Sequence, residues 1–452
     1  MNSDFKDADL FSAGIAAWGR RVRQGDLTFT ETVQHCLQQI TAKESLNSFE
    51  FVSAETAMST AALLDTYLAA GTDLGPLMGL PLGVKDIIHV NGMPTTFGSN
   101  AELNDLLGTE GGVISTLRGA GVILMGKTKT VEFALGATGV NESRGTPWNP
   151  ADLSTHRIPG GSSSGSAVST AAGLVGMALG TDTGGSIRIP ASFTGLVGHK
   201  TSVGQWPLDG IFSLSKTLDS VGPLCRRVDD ALLMHQLFSG ERVNDKVNVK
   251  GLRIGIVEDL FFEDLEDTVA KDFERVCSVL EAHGAIRVPL SFPAIHERIS
   301  LFASIVPAEL IQYLTPKRYL SLQNGVDSVT NDRASVGLDA KAHAYLNALQ
   351  RRRELIAIAN LSFNDVDVWM SPTCPFVAMP VADLKDADNH KRALLASRNT
   401  MPGNLLDMCG LSLPMHKSGM PTGLQLMMPL NRDTRLLSLG RKVEALLDAS
   451  SE

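Results

Sequence analysis

Two short tracts of this sequence consist almost wholly of residues small enough to let a backbone close on a substrate. Residues 159–169 read PGGSSSGSAVS and residues 180–190 read GTDTGGSIRIP. Glycine lacks a Cβ and serine carries only a short hydroxyl, so such a chain adopts conformations barred to bulkier residues and can approach a ligand closely. Within Asp182-Thr183-Gly184-Gly185-Ser186, consecutive N–H groups can converge on one point just ahead of a helix that Ile187 would open. That is the arrangement of an oxyanion hole, where a helix N-terminus adds favourable potential for developing negative charge. Either tract alone reads first as a flexible turn. Their joint occurrence with a lysine-bearing segment is what points to chemistry.

That segment is Gly79-Leu80-Pro81-Leu82-Gly83-Val84-Lys85-Asp86. A serine hydroxyl is a weak nucleophile at neutral pH and needs a base, yet neither tract holds a histidine. A lysine can serve only if its amine is kept neutral, which burial favours. Taken singly, Lys85 reads as an ordinary surface lysine. Together, the three segments resemble the amidase signature family, densely over residues 80–223 and again at Ser371-Pro372-Thr373 and Gly419-Met420-Pro421-Thr422-Gly423-Leu424-Gln425-Leu426. The resemblance implies that Lys85 is the catalytic lysine, Ser162 a bridging serine held by a cis peptide bond, and Ser186 the nucleophile, 186 − 162 = 24 residues further on. It also implies oxyanion donors from Thr183, Gly184, Gly185 and Ser186, with Asp182 and Arg188 in support. The implied reaction is hydrolysis of the C–N bond of a small carboxamide through an acyl-enzyme, with no metal or other cofactor.

Three positions depart from the commoner family wording. His199-Lys200-Thr201-Ser202 stands where Leu-Lys-Pro-Thr is frequent, Ile189 where glutamine-using members carry Gln, and Cys409-Gly410-Leu411-Ser412 replaces an Ala-Gly-Leu-Pro type of run. These differences weigh against the alternative, the glutaminase component of a tRNA-dependent amidotransferase, which supplies ammonia to a partner. His199 reads as a structural histidine before a substrate contact, and Cys374 as a buried thiol before a wall of the acyl pocket.

Two literal motif matches fail on their chemistry. Residues 121–128, GVILMGKT, satisfy the phosphate-loop pattern, but such a cradle is an exposed loop of converging N–H groups, whereas four consecutive bulky apolar residues bury as a strand. Residues 161–165, GSSSG, contain GxSxG, but the preceding HRIPG is a poor strand with Pro near its end, so Ser163 is not expected on a nucleophile elbow.

The elements that would position the tracts follow from apolar patterning. Pro81–Val84, Val122–Met125, Met177–Leu179, Leu252–Val257, Val366–Met370 and Gly423–Met428 read as buried strands. Residues 10–70 read as helical, 267–283 as an amphipathic helix closed by Gly284, and about 321–341 as loop. Strands ending in Gly- or Ser-bearing loops suggest an α/β sheet whose strand ends carry the chemistry. The resemblance specifies an amidase-signature fold, a large mixed β-sheet core covered by α-helices on both faces. One domain over residues 1–452 is expected: an N-terminal helical region (1–75), a signature core (76–230), a variable substrate-shaping region (231–360) and a C-terminal return (361–452).

A net charge of −9 offers no field for phosphate backbones or anionic lipid, so nucleic acid and membrane are not expected as partners. Met1 to Leu10 is polar and acidic where a secretory signal needs a basic, apolar start, so a cytoplasmic protein acting on a small-molecule amide is expected. Five scattered cysteines and ten dispersed histidines, without CxxC or HExxH, suggest neither disulfides nor zinc. The oligomeric state, a homodimer included, is left open.

Overall fold

Short apolar runs without polar alternation cannot leave one face in water, and the strands they form lie in the interior of a single sheet. The computed structural model describes residues 9–106, 108–241 and 247–450, so all but the last two residues of the polar, acidic start lie outside the described residues. The strands are β1 (Phe49–Val52), β2 (Pro81–Lys85), β3 (Ile123–Thr128), β4 (Met177–Asp182), β5 (Val197–Lys200), β6 (Ser220–Cys225), β7 (Arg253–Val257), β8 (Ile286–Leu290), β9 (Val368–Pro372), β10 (Cys409–Pro414) and β11 (Gly423–Met428). They join one sheet of order β1-β3-β2-β4-β6-β5-β10-β11-β9-β7-β8.

The sheet is mixed. β2 runs parallel to β3 and β4, and β7 parallel to β8 and β9, while β4, β6, β5, β10, β11 and β9 pair antiparallel in succession. Successive residues of a strand point to opposite faces. Every residue of β2, β3, β4, β5, β6, β9 and β11 is buried, so helices and loops cover both faces of the central sheet. The large mixed sheet expected from the resemblance is therefore present.

Two expectations fail. Residues 10–70 are not all helix: Phe49–Val52 is an edge strand paired antiparallel with β3. Four half-buried residues are too few to show a period, and the pairing partner lies more than 70 residues away in sequence. Residues 321–341 are not all loop either, since Ser328–Ser335 is a helix. Its polar composition, with only Thr330 and Ala334 buried, hides it, while the Asp327 side chain caps it by accepting from the Thr330 N–H at 2.9 Å.

The phosphate-loop string is β3 and the residues leading into it. Lys127 is buried and pairs with Asp86 at 2.8 Å. Burial pulls its amine below the ordinary value, and the Asp86 carboxylate opposes that shift. Removing one member of a buried pair leaves the other charge uncompensated. Lys127→Met is expected to lower the unfolding free energy by about 3–5 kcal/mol, measured by denaturant titration against the parent protein.

Candidate active site

β2 and β4 are parallel neighbours, so their C-terminal ends emerge together, and each ends on a residue of interest: Lys85 on β2 and Asp182 on β4. The Lys85 side chain is fully buried, with Nζ 2.7 Å from Ser162 Oγ and 2.8 Å from Thr181 Oγ1. Burial disfavours the ammonium and lowers its pKa to about 7, against the pull of the Asp219 and Asp182 carboxylates.

Ser162 follows a cis peptide bond from Gly161. Its carbonyl accepts from the Val131 N–H at 3.1 Å and from Thr130 Oγ1 at 3.0 Å. Both small-residue tracts meet here, because the Ser163 N–H donates to the Ser186 carbonyl at 3.3 Å. Ser163 itself is buried and its hydroxyl donates to the Thr181 carbonyl at 3.3 Å, so it presents no exposed nucleophile.

The turn from Asp182 to Arg188 is built around one carboxylate. Asp182 accepts from the N–H groups of Gly185 (2.8 Å) and Ile187 (3.1 Å), from Arg188 Nη2 (2.9 Å) and Nε (3.1 Å), and from Asn404 Nδ2 (2.9 Å). Burial pushes this carboxyl up, but the Arg188 guanidinium and the other donors outweigh it and hold the group well below the usual carboxylate range. Arg188 is anchored in turn by Gln425 Oε1 at 2.8 Å and Asn404 Oδ1 at 2.7 Å. The helix Arg188–Thr194 starts one residue after Ile187, within the usual uncertainty of a helix end.

One expected donor is corrected. The Gly185 N–H is held by Asp182, so it is not free to face a substrate. The N–H groups of Thr183, Gly184 and Ser186 have no acceptor among the described residues. Gly185 instead makes the turn possible: its φ is +128°, and a Cβ there would lie 2.1 Å from Thr400 Oγ1. Thr400 Oγ1 donates to the Gly184 carbonyl at 2.7 Å, which fixes the orientation of that peptide unit.

Thr183, Gly184 and Ser186 all line a cavity of about 490 Å³ whose remaining wall is largely apolar, including Leu135, Ile189 and Phe302. Ser186 is 8% exposed, and its hydroxyl makes no hydrogen bond among the described residues. Thr183 Oγ1 donates to Asp219 at 2.6 Å. Burial raises the Asp219 carboxyl to about 6, countered by the Thr183 hydroxyl, the Ser215 N–H and Lys85.

Several positioning residues carried no sequence signal of their role: Thr181, Asp219, Thr400 and Asn404. Thr181 lies inside the second tract and Gln425 inside the C-terminal motif, so their locations were marked although their contacts were not. His199 lies away from the cavity, with Nε2 3.1 Å from Asp433, whose carboxylate also accepts from the Ser202 N–H (2.8 Å) and hydroxyl (2.5 Å). Cys374 is buried in a small apolar cluster with Ile189, Phe193 and Phe376, and burial pushes its thiol up to about 12.

This geometry agrees with kinship. A family model described as Amidase matches residues 31–437, and the chain belongs to that family. It is 37% identical over 443 residues to the 2-amino-5-chloromuconic acid deaminase of Comamonas testosteroni, covering 96% of each chain. It is 34% identical over 484 residues to the A component of the glutamyl-tRNA(Gln) amidotransferase of Acidothermus cellulolyticus, covering 97% of this chain and 95% of that one. A crystal structure of an amidase superposes with a TM-score of 0.88 at 33% identity, covering 94% of this chain and 98% of the other.

Gly185→Ala should lower stability by about 1–3 kcal/mol in denaturant unfolding, the cost of forcing a side chain into an occupied, positive-φ position. The same variant should lose amide turnover, because relief of the clash must displace Thr400 and the Gly184 peptide it holds.

Proposed function

We propose that this protein is an amidase that hydrolyses the C–N bond of a small carboxamide to a carboxylate and ammonia or an amine. The contact that carries the reading is the 2.7 Å approach of the buried Lys85 amine to Ser162. With its pKa lowered to about 7, Lys85 is neutral in a large fraction of molecules at physiological pH and can accept a proton. In that state the contact reverses, and the Ser162 hydroxyl donates to the lysine lone pair.

The Ser186 hydroxyl, unpartnered among the described residues, must turn onto Ser162 Oγ when substrate binds. It then attacks the amide carbon as its proton passes to Ser162 and the Ser162 proton to Lys85. The tetrahedral oxyanion forms against the free N–H groups of Thr183, Gly184 and Ser186, with Asp182 and Arg188 keeping the turn in shape. The relay in reverse protonates the amide nitrogen, which leaves poorly otherwise, and the C–N bond breaks to give a Ser186 ester. A water molecule, losing its proton to the same relay, attacks the ester carbon; the relay returns that proton to Ser186 Oγ as the ester C–O bond breaks and the acid is released. The amide and water are the only reactants consumed.

The deaminase relative supports loss of nitrogen from a small molecule, and the amidase structure supports hydrolysis at a C–N bond. The amidotransferase relatives favour a second reading, in which the same site generates ammonia for a partner protein. Such a chain would be nearly inactive by itself.

Ammonia release from a panel of amides by the purified chain separates the two. Turnover by the lone protein is expected, with Ser186→Ala inactive though folded and Lys85→Ala slower by about 10²- to 10⁴-fold. Undiminished turnover by Ser186→Ala would remove the assignment. Since the base must be unprotonated, kcat/KM should rise with pH through about 7 and level off above it, as a pH–rate profile would show.

A further inference from the structure

The cavity beside Ser186 is largely apolar, yet a guanidinium forms part of its wall. Arg333 lies on the helix Ser328–Ser335, the segment whose polar sequence read as loop, and it is half-buried. Its Nη1 donates to the Leu135 carbonyl at 3.1 Å, and among the described residues this is its one hydrogen bond. No carboxylate among them pairs with it. Asp332 borders the same cavity but is exposed and forms no ion pair with Arg333, and Asp327 acts on it only at longer range. Elsewhere in the fold Arg188 pairs with Asp182, Arg144 with Glu50 and Arg352 with Asp407; the buried Arg298 and Arg398 also have no carboxylate partner among the described residues, but neither lines this cavity. Burial without a counter-charge disfavours the Arg333 cation. The planar fork of a guanidinium matches a carboxylate through two parallel N–H donors.

We infer that Arg333 receives a free carboxylate carried by the substrate, so that the scissile amide belongs to a molecule with an acid group at its other end. The inference rests on the amidase reading and adds the substrate class. The apolar wall supplied by Leu214, Phe302, Val306 and Met401 suits a hydrocarbon segment joining the two ends. A single cation matches a monoanionic group. A phosphate dianion would leave one charge unmatched, next to the further repulsion of Asp332.

The test compares chain-matched amides with and without the acid: glutaramate and adipamate against pentanamide and hexanamide. The wild-type protein should favour the carboxylate-bearing member by about 10- to 100-fold in kcat/KM, mostly through KM. Arg333→Met should erase that preference, and Arg333→Lys should keep part of it. Equal use of both members by the wild-type protein, or a preference that survives in Arg333→Met, would overturn the inference. A second arm needs no turnover: calorimetric binding of glutarate to the Ser186→Ala protein, expected to be lost when Arg333→Met is added. If no amide is hydrolysed at all, the amidase reading fails. Glutarate binding then decides the Arg333 subsite alone: its dependence on Arg333 supports the subsite, and absent or Arg333-independent binding refutes it.

Discussion

An ammonium group inside a protein must find a counter-charge or give up its proton, and the candidate active site turns on that choice at Lys85. The amine is sealed from solvent against two hydroxyls, Ser162 and Thr181, neither of which can neutralise it. Two carboxylates lie within electrostatic range. The charge of Asp182 is largely answered by Arg188, with which it forms a buried pair at 2.9 Å. Asp219, raised to about 6 by its own burial, opposes the discharge of Lys85 without ending it. The result is a lysine whose protonation is nearly balanced, the condition under which one group can both take and return a proton in a cycle.

The rest of the architecture holds that amine and the turn facing it in fixed relation. Parallel pairing of β2 with β4 brings Lys85 and Asp182 out at one edge, and β4 then leads into the turn that carries Ser186. Asp182 organises the turn from within by accepting its N–H groups. The far end of the chain reinforces it: Thr400 holds the Gly184 carbonyl, Asn404 bonds both Asp182 and Arg188, and Gln425 on β11 takes Arg188 Nη1. The variable middle of the chain contributes Phe302, Val306 and Arg333 to the cavity wall. Thus the proposed reacting groups come from the core of the sheet, whereas part of the remaining cavity wall comes from helices laid over it.

Sequence drew attention to segments with a local signature; the roles assigned within them came from the family resemblance, and residues whose contacts are made by distance were missed. The Gly/Ser tracts and the lysine segment were readable because small residues and one cation in fixed spacing restrict what a backbone can do there. The central strands were readable because burial on both faces removes polar alternation. The edge strand Phe49–Val52 was not, since its only evidence is a partner strand far along the chain. Thr400 and Asn404 are common polar residues in an unremarkable segment, and their contacts reach 216 and 222 residues back to the turn. Gly185 shows the limit within a motif: it was expected as an oxyanion donor, but the Asp182 side chain decides which N–H groups of that turn remain free.

The central claim is that Lys85 gives up its proton near neutral pH, far below an ordinary lysine. Its direct test is an NMR titration of lysine side chains labelled at Cε and Nζ, with the Lys85 signal identified by its loss in Lys85→Met. The account predicts that this signal titrates near pH 7, well below the ordinary lysine value. A Lys85 resonance that stays in its protonated position up to about pH 10, where ordinary lysines titrate, would contradict it.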